Sequence, residues 1–469
     1  MSKHRRDVPS PFVKILIRRT QSTVRPSSTR SRRNSIRLAL ALIVAPPVVG
    51  LLFAVLAAAI PNERVAGQLV EAVGNDWLDV GNYPDGPITG RRVDRFSECV
   101  TVTIGLSNSN SSPFSDSIRN PTLGDCSETE QRLIAYSESG TLESAYEYFR
   151  YWHGHAVLSR PLIALVGLDG TRVIAFAGLF LTLLGLARSL QRAHGTRTSV
   201  GLLLPLTLTA GFADLPLALQ HSWSTITILC SSWIIHELIR RDDGDHRIAV
   251  ASFLAGAVFV YVDILLNPPM SWVLTILVVT LASSHRHSGF ALGRRSLVAA
   301  LAWIVGYSWM WFSKWILAAM VYGVSTVRST ISDQVTFRLD GESEYREPVT
   351  GVLGTTRYNF SASQYGWLSE PLAGPVLIGL VIAAAYFVFS RFIQRKHSDP
   401  RRDWDRAILV APVLIIVIWY ELLRNHNQIH YWFTYRSIAV GIGVIAVVLV
   451  MQLRIQSNSS ESGSDAKSN

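Results

Sequence analysis

Three apolar runs, Leu38–Ile60, Val173–Leu186 and Ile438–Met451, approach or reach the roughly 20 residues that a helix needs to cross about 30 Å of hydrocarbon. In such a solvent every backbone polar group must bond within its own segment, so these runs are read as membrane helices. The remainder agrees: of 469 residues, 49% are hydrophobic and only 17% charged, too apolar for an ordinary soluble domain. The pattern predicts about ten helices, centred near residues 48, 178, 206, 231, 256, 277, 309, 382, 415 and 445. The third and sixth are short and interrupted by polar residues. The expectation is an all-α polytopic membrane protein with two large exported loops.

Orientation follows from Lys and Arg near helix ends. Residues 1–37 carry 11 Lys/Arg against the single acid Asp7, whereas residues 61–150 carry 7 Arg and 14 acids. The first segment therefore stays inside and the second is exported. The basic tail and the first apolar run are both too long for a cleaved signal peptide. Basic linkers at Arg188–Arg197, Arg286–Arg295 and Arg391–Arg406 return inside; Arg240–Arg247 is charge-balanced. The predicted organisation is a basic cytoplasmic tail (1–37), a first transmembrane helix (38–60), and an exported loop with an interfacial segment (61–168). A transmembrane bundle (169–322), a second exported loop (323–372), C-terminal transmembrane helices (373–453) and a disordered cytoplasmic tail (454–469) follow. Both termini are cytoplasmic on this reading.

The net charge of +10 belongs mostly to the cytoplasmic flanks, where it suits anionic lipid; no nucleic-acid-binding fold accompanies it, and no nucleic-acid partner is expected. No Walker loop, GxGxxG, zinc-finger spacing, heptad run or internal repeat occurs, which argues against an ATP-driven pump or a cytoplasmic nucleotide-sugar enzyme. Of three cysteines, Cys99 and Cys126 share the exported loop. They are expected to form a disulfide closing a loop of about 28 residues, worth about 3 kcal/mol. Cys230 reads as a small core residue.

Polar residues cluster at the predicted outer face. In RRVDRFSEC, Asp94 and Glu98 are four residues apart and would share a helical face. A carboxylate in a dry cavity can act as general base, and the plain alternative is a solvated loop with local Arg pairs. Tyr146–Arg160, YEYFRYWHGHAVLSR, puts five aromatic rings beside two His and two Arg. It suits an interfacial segment lying flat on the membrane, with Trp152 able to stack on a sugar ring and Arg160, at a helix start, able to hold a phosphate. His153 and His155 form an HxH pair without a nearby acid, a weak metal signal. Asp214, with His221 following, and Asp263 each precede a Pro that would break a helix and open backbone groups to a cavity; simple capping is the alternative. Lys314, flanked by Trp rings, either snorkels to the interface or meets a lipid phosphate.

The densest cluster is LRNHNQIHYWFTYR, residues 423–436, placed between apolar runs. Ionisable groups at a membrane boundary are costly and mark a functional site. His426 and His430 are spaced to share a helical face, as metal ligands, proton carriers or phosphate donors. Without an HExxH glutamate they do not read as a zinc hydrolase. Arg424, beside Asn425, and Arg436 are better phosphate ligands, because guanidinium stays charged and binds bidentately. The second exported segment, Val324–Gly374, adds Arg328, Arg338, Arg346, Arg357 and six acids, with Tyr358, Phe360, Tyr365 and Trp367 bordering an acceptor groove.

The acid in the first exported loop, the aromatic stretch before the second helix and the long late loop resemble the GT-C class of integral-membrane glycosyltransferases. More narrowly, DRFSEC, YFRYWHGHAVLSRP, VDILLNPP, WFSKW and RNHNQIHYWFTYR look like a bacterial envelope family with YSRYWHG, FDxLTxP and RNHSxIHxxFTYR strings. The resemblance spans most of residues 90–440. It implies a polyprenyl-phosphate sugar donor used at the outer face and an envelope glycan, lipid or protein acceptor. It also implies an exported-loop carboxylate as base, matched best by Asp94 and next by Glu98. The chain departs from the class in lacking a DD or DE pair there. Members differ in metal dependence, so a divalent cation stays open and no other cofactor is expected. Arg160, Lys314 and Arg436 would neutralise the leaving phosphate, His426 or His430 would orient it, and Trp152 would pack on a ring. The rival readings are a flippase or transporter for a lipid-linked saccharide, another envelope transferase, and a non-catalytic assembly or receptor protein.

Overall fold

The structure, a computed structural model, describes residues 29–76, 78, 93–107, 112–212, 214–340, 349, 351–363 and 400–465, with backbone alone at 29–36, 340, 363, 400–403 and 452–465. Two compact units divide the chain between Ala45 and Pro46. Among the described residues the first holds only the start of α1 (Thr29–Ala58).

The second unit is built almost wholly of helices. After α1 come α2 (Asn62–Gly74), α3 (Arg95–Thr103), α4 (Pro113–Arg119) and α5 (Cys126–Ser139). A two-residue strand pair, β1 (Pro121–Thr122) with β2 (Tyr146–Glu147), runs antiparallel with Pro121 opposite Glu147. Long helices follow: α6 (Ala156–His194), α7 (Thr196–Thr209), α8 (Leu219–Arg241), α9 (Asp245–Val262), α10 (Pro268–Ser283) and α11 (Gly289–Tyr322). Next are α12 (Val324–Asp340), α13 (Gly354–Ser363), α14 (Pro400–Val410), α15 (Leu414–Leu422), α16 (Arg424–Ile429), α17 (Tyr431–Thr434) and α18 (Arg436–Asp465).

Among the described residues, five segments are long and apolar enough to cross a membrane: Arg37–Ala58, Ala156–His194, Asp245–Val262, Gly289–Tyr322 and Tyr431–Met451. The chain is thus a helical protein of integral-membrane type. The other expected spans differ for local reasons. The helices α7 and α10 have 14 and 16 residues, and α8 has the length but carries Gln220, His221, Ser222 and Ser224 in its first turns. The span expected near 415 is broken into α14, a 3-10 turn at Ala411–Val413 and α15, because Pro412 supplies no backbone N–H. The span expected near 382 lies outside the described residues. Much of the segment 324–374, predicted to be exported, is helical, as α12 and α13, while Arg346, Tyr365 and Trp367 lie outside the described residues. Helix α18 continues past Met451 into the polar C-terminal stretch.

Two apolar cores organise the second unit. The larger joins α6 to α11 with α14, α15 and α18 through residues such as Leu186, Leu202, Leu229, Leu277 and Val444. The smaller collects the loop before α6. Val65, Ala66, Leu69 and Ala72 form one helical face of α2. They bury with Cys99, Val102, Leu123 and Leu133 against Ile163, Leu168, Leu219 and Trp223. The Cys99–Cys126 disulfide, with Cα atoms 5.2 Å apart, ties α3 to the first residue of α5. In α6, Gly167 at φ 73° and ψ −179° interrupts the helix, a conformation that only glycine adopts cheaply. Within Tyr146–Arg160, Tyr146 and Leu158 are exposed, whereas Tyr151, Trp152, His153, His155 and Arg160 are buried. Their buried course depends on Gly154, whose N–H bonds Tyr261 O at 2.7 Å; a Cβ there would stand 2.3 Å from the Tyr261 ring.

Candidate functional site

Asp94 is the N-cap of α3, and its Oδ1 accepts the Ser97 N–H at 3.0 Å, the usual way a short polar side chain satisfies a free helical donor. Its other oxygen, Oδ2, stands 2.9 Å from His221 Nε2. In α8, Leu219 and Trp223 fall one turn apart and enter the smaller core, which leaves His221 on a different face of the first turn. The pair is dry: side-chain exposure is 2% for Asp94 and 1% for His221. Burial pushes the Asp94 carboxyl upward, but the bond and charge of His221, with the Ser97 bonds, outweigh it and hold the group below its ordinary range.

Glu98, expected beside Asp94, has different partners. It forms a buried ion pair with Arg172 of α6 at 3.1 Å and accepts the N–H of Leu219, the first residue of α8. Burial raises its pKa, and the charges of Arg172 and Arg95 offset this only partly. Glu98 therefore fixes α6 and the start of α8 in place, and Asp94 alone meets the imidazole.

The RNHNQIH motif closes the same site. His221 packs 5.2 Å from the Phe433 ring, and His430 stacks on Phe433 at 5.1 Å. The charges of Asp94 and His221 both bear on His430, and that of Arg436 bears on His221. Arg436 begins α18 and donates from Nε to Ala210 O at 2.9 Å. Its Nη1, His221 Nδ1 and His430 Nδ1 are buried without a hydrogen-bond partner among the described residues. Buried polar atoms are seldom left unpaired, so two imidazoles on one phenyl ring, with a guanidinium whose charge bears on one of them, point to a polar ligand. His426 is engaged otherwise. Its Nε2 lies 3.1 Å from Leu265 O and its Nδ1 bonds Arg338, so it orients structure and has no ring nitrogen left for a phosphate.

Arg338, in the last turn of α12, also donates to the Tyr151 hydroxyl at 2.9 Å. Asn425 Nδ2 donates to Phe337 O at 2.6 Å, and Gln428 accepts Val349 N–H. The Arg338 and Asn425 bonds lay the end of α12 along the histidine motif, beside a cavity of about 70 Å³ lined by Phe149, Tyr151, Trp311, Trp315, Ile331 and Arg338. The indoles of Trp311 and Trp315 are held at its edge by bonds to Arg150 O.

Other candidates are structural. Arg160 donates to the carbonyls of Ala57, Ile104 and Ile60 and to Asn62 Oδ1, at 2.8–3.0 Å, so four of its five N–H groups are spent binding α1, α2 and α3 to α6. Lys314 does not snorkel: it is fully buried, donates to Ser117 O and Ile118 O at the end of α4, and lies over the Trp152 ring at 5.6 Å. Trp152 Nε1 donates to Met310 O, so that ring is a buried packing element, not a sugar platform. His153 and His155 contact one another at 3.3 Å; burial drives both downward, His155 to about 3, leaving them neutral. Asp263 accepts Ser224 Oγ–H and Leu266 N–H and shapes the turn after α9. Asp214 is buried at the start of the 3-10 turn Leu215–Leu217. Arg424 points outward and pairs with Glu421. Among the described residues no three His, Cys, Asp or Glu side chains converge as a metal site.

The structure thus unites Asp94, His221, His430 and Arg436, and sets Arg160, Lys314, Trp152, His153, His155, Asp214, Asp263, Arg424 and Asn425 around or away from them. Phe433 and Arg338 are the additions. Phe433 sits inside the FTYR string, but only packing marks it; Arg338 is one of four Arg in its segment and nothing local singles it out. No family model matches the chain, and neither a curated protein nor a solved structure matches it.

Proposed function

We propose that this protein is a membrane glycosyltransferase of GT-C-like architecture. It would carry about ten transmembrane helices and two exported segments, with both termini cytoplasmic. It moves a sugar from a polyprenyl-phosphate donor to an envelope glycan, lipid or protein acceptor at the outer face of the bacterial cell membrane. The observation that carries this reading is the buried Asp94–His221 pair beside the unpartnered nitrogens of Arg436 and His430. An ionised acid–imidazole unit next to a guanidinium offers base chemistry and phosphate neutralisation in one buried cluster, where fixed charges act most strongly. Glu98 is assigned to structure, and the base function falls to the Asp94–His221 pair.

The test is transfer of labelled sugar from polyprenyl-phosphate donors by purified wild type and Asp94→Asn, with folding monitored in parallel. Turnover by wild type, lost in a folded variant, supports the reading. Movement of lipid-linked saccharide across vesicles without turnover would replace it with a flippase.

A further inference from the structure

Both oxygens of Asp94 are already engaged, Oδ1 with the Ser97 N–H at 3.0 Å and Oδ2 with His221 Nε2 at 2.9 Å. The carboxylate is also buried behind the imidazole it holds. An ionised carboxylate only accepts, so His221 Nε2 carries the proton of that bond. A neutral imidazole with its proton on Nε2 has its lone pair on Nδ1. That atom is buried, has no hydrogen-bond partner among the described residues, and belongs to a ring packed on Phe433, which also stacks on His430; the charge of Arg436 bears on the same imidazole. The depressed titration of the Asp94 carboxyl agrees with an ionised group that orients rather than accepts.

We infer that His221 Nδ1 is the atom that takes the proton from the acceptor hydroxyl, and that Asp94 is the positioning residue that fixes its tautomer. This rests on the transferase reading above. The acceptor O–H gives its proton to Nδ1 while its oxygen pair forms the bond to the anomeric carbon. The bond from that carbon to the phosphate oxygen breaks, and its electron pair leaves on the lipid phosphate, which Arg436 neutralises. The proton then passes from the imidazolium to the departing phosphate, restoring neutral His221. The arrangement follows the logic of carboxylate-oriented imidazole bases in general, in which the acid sets the tautomer and stabilises the cation without itself taking the proton.

Two measurements decide it. In the first, His221→Gly and His221→Gln are assayed for sugar transfer, with added imidazole and with thermal midpoints recorded. Both should lose about 10²–10⁴-fold in rate, and imidazole should restore at least about tenfold of the loss in His221→Gly alone, since only that variant leaves room for it. Retained activity in either variant, or loss without rescue at an unchanged midpoint, overturns the inference. The second needs no turnover: ¹⁵N-histidine NMR of wild type and Asp94→Asn. A proton on Nε2 in wild type, with tautomer mixing in the variant, supports it; a proton on Nδ1 in wild type overturns it. Wild type inert with every lipid-linked donor would fail the transferase reading, while the NMR result would still judge the geometry of the pair.

Discussion

Asp94 and Glu98 lie one helical turn apart, yet they carry opposite consequences for the protein. Asparagine at position 94 can still cap α3, because its side-chain oxygen accepts the Ser97 N–H as aspartate does. Asp94→Asn should therefore change unfolding free energy by less than about 1 kcal/mol while lowering transfer about 10²–10⁴-fold. Glu98→Ala takes the carboxylate from buried Arg172 and the acceptor from Leu219 N–H. It should cost about 3–5 kcal/mol, read by denaturant unfolding in detergent. Equal destabilisation by both changes would show that the two carboxylates are not divided in this way. Their pH behaviour separates them as well. The folded Asp94 carboxyl titrates below its unfolded value of 3.8, so its stabilisation is complete above that pH and lost as pH falls through the folded value. Glu98 titrates above its unfolded value, so its ionisation costs stability at neutral pH and protonation recovers it on acidification. Melting of Asp94→Asn across acidic pH should lack the loss below about 3.8 that wild type shows.

At the scale of elements, Arg338 joins three pieces of chain that lie far apart in sequence: α12, the Tyr151 hydroxyl of the aromatic stretch, and His426. Charge-assisted bonds of this kind are worth about 1.5–3 kcal/mol each. Arg338→Gln should loosen α12, raising its amide hydrogen exchange and that of α16, with α8 to α10 unaffected. Unchanged exchange in α12 would mean that Asn425, bonded to Phe337 O, holds the helix without it. The disulfide is the parallel device between α3 and α5, and it was legible from the sequence because two cysteines share an acidic stretch predicted to be exported. Arg338 was not. A long-range contact between a helix end and a motif 88 residues later leaves no local periodicity to read. Arg160 and Lys314 show the converse: the sequence singles them out as charges near a membrane, but it cannot say that carbonyls at helix ends claim their donors. His221 and Asp94 were both recognisable as candidates; their pairing needed the fold, since α3 and the start of α8 are brought together by Glu98, Cys99 and Leu219.

For the whole molecule, the decisive quantity is which side of the bilayer holds the pair. Sidedness was read from charge alone, 11 Lys/Arg in residues 1–37 against an acidic stretch at 61–150, and the disulfide adds an independent chemical reason, because such bonds persist in oxidising compartments. Glu138, exposed in α5, and Arg197, exposed in α7, sit on opposite predicted sides. In a Cys230→Ser background, Glu138→Cys should react with a membrane-impermeant maleimide on intact cells, whereas Arg197→Cys should react only after lysis. Because α5 is bonded to α3 through Cys99 and Cys126, labelling at 138 also locates Asp94. The reverse pattern would place the Asp94–His221 pair in the cytoplasm. A nucleotide-linked donor would then be within reach, and the lipid-phosphate chemistry assigned to Arg436 would lose its main physical motive.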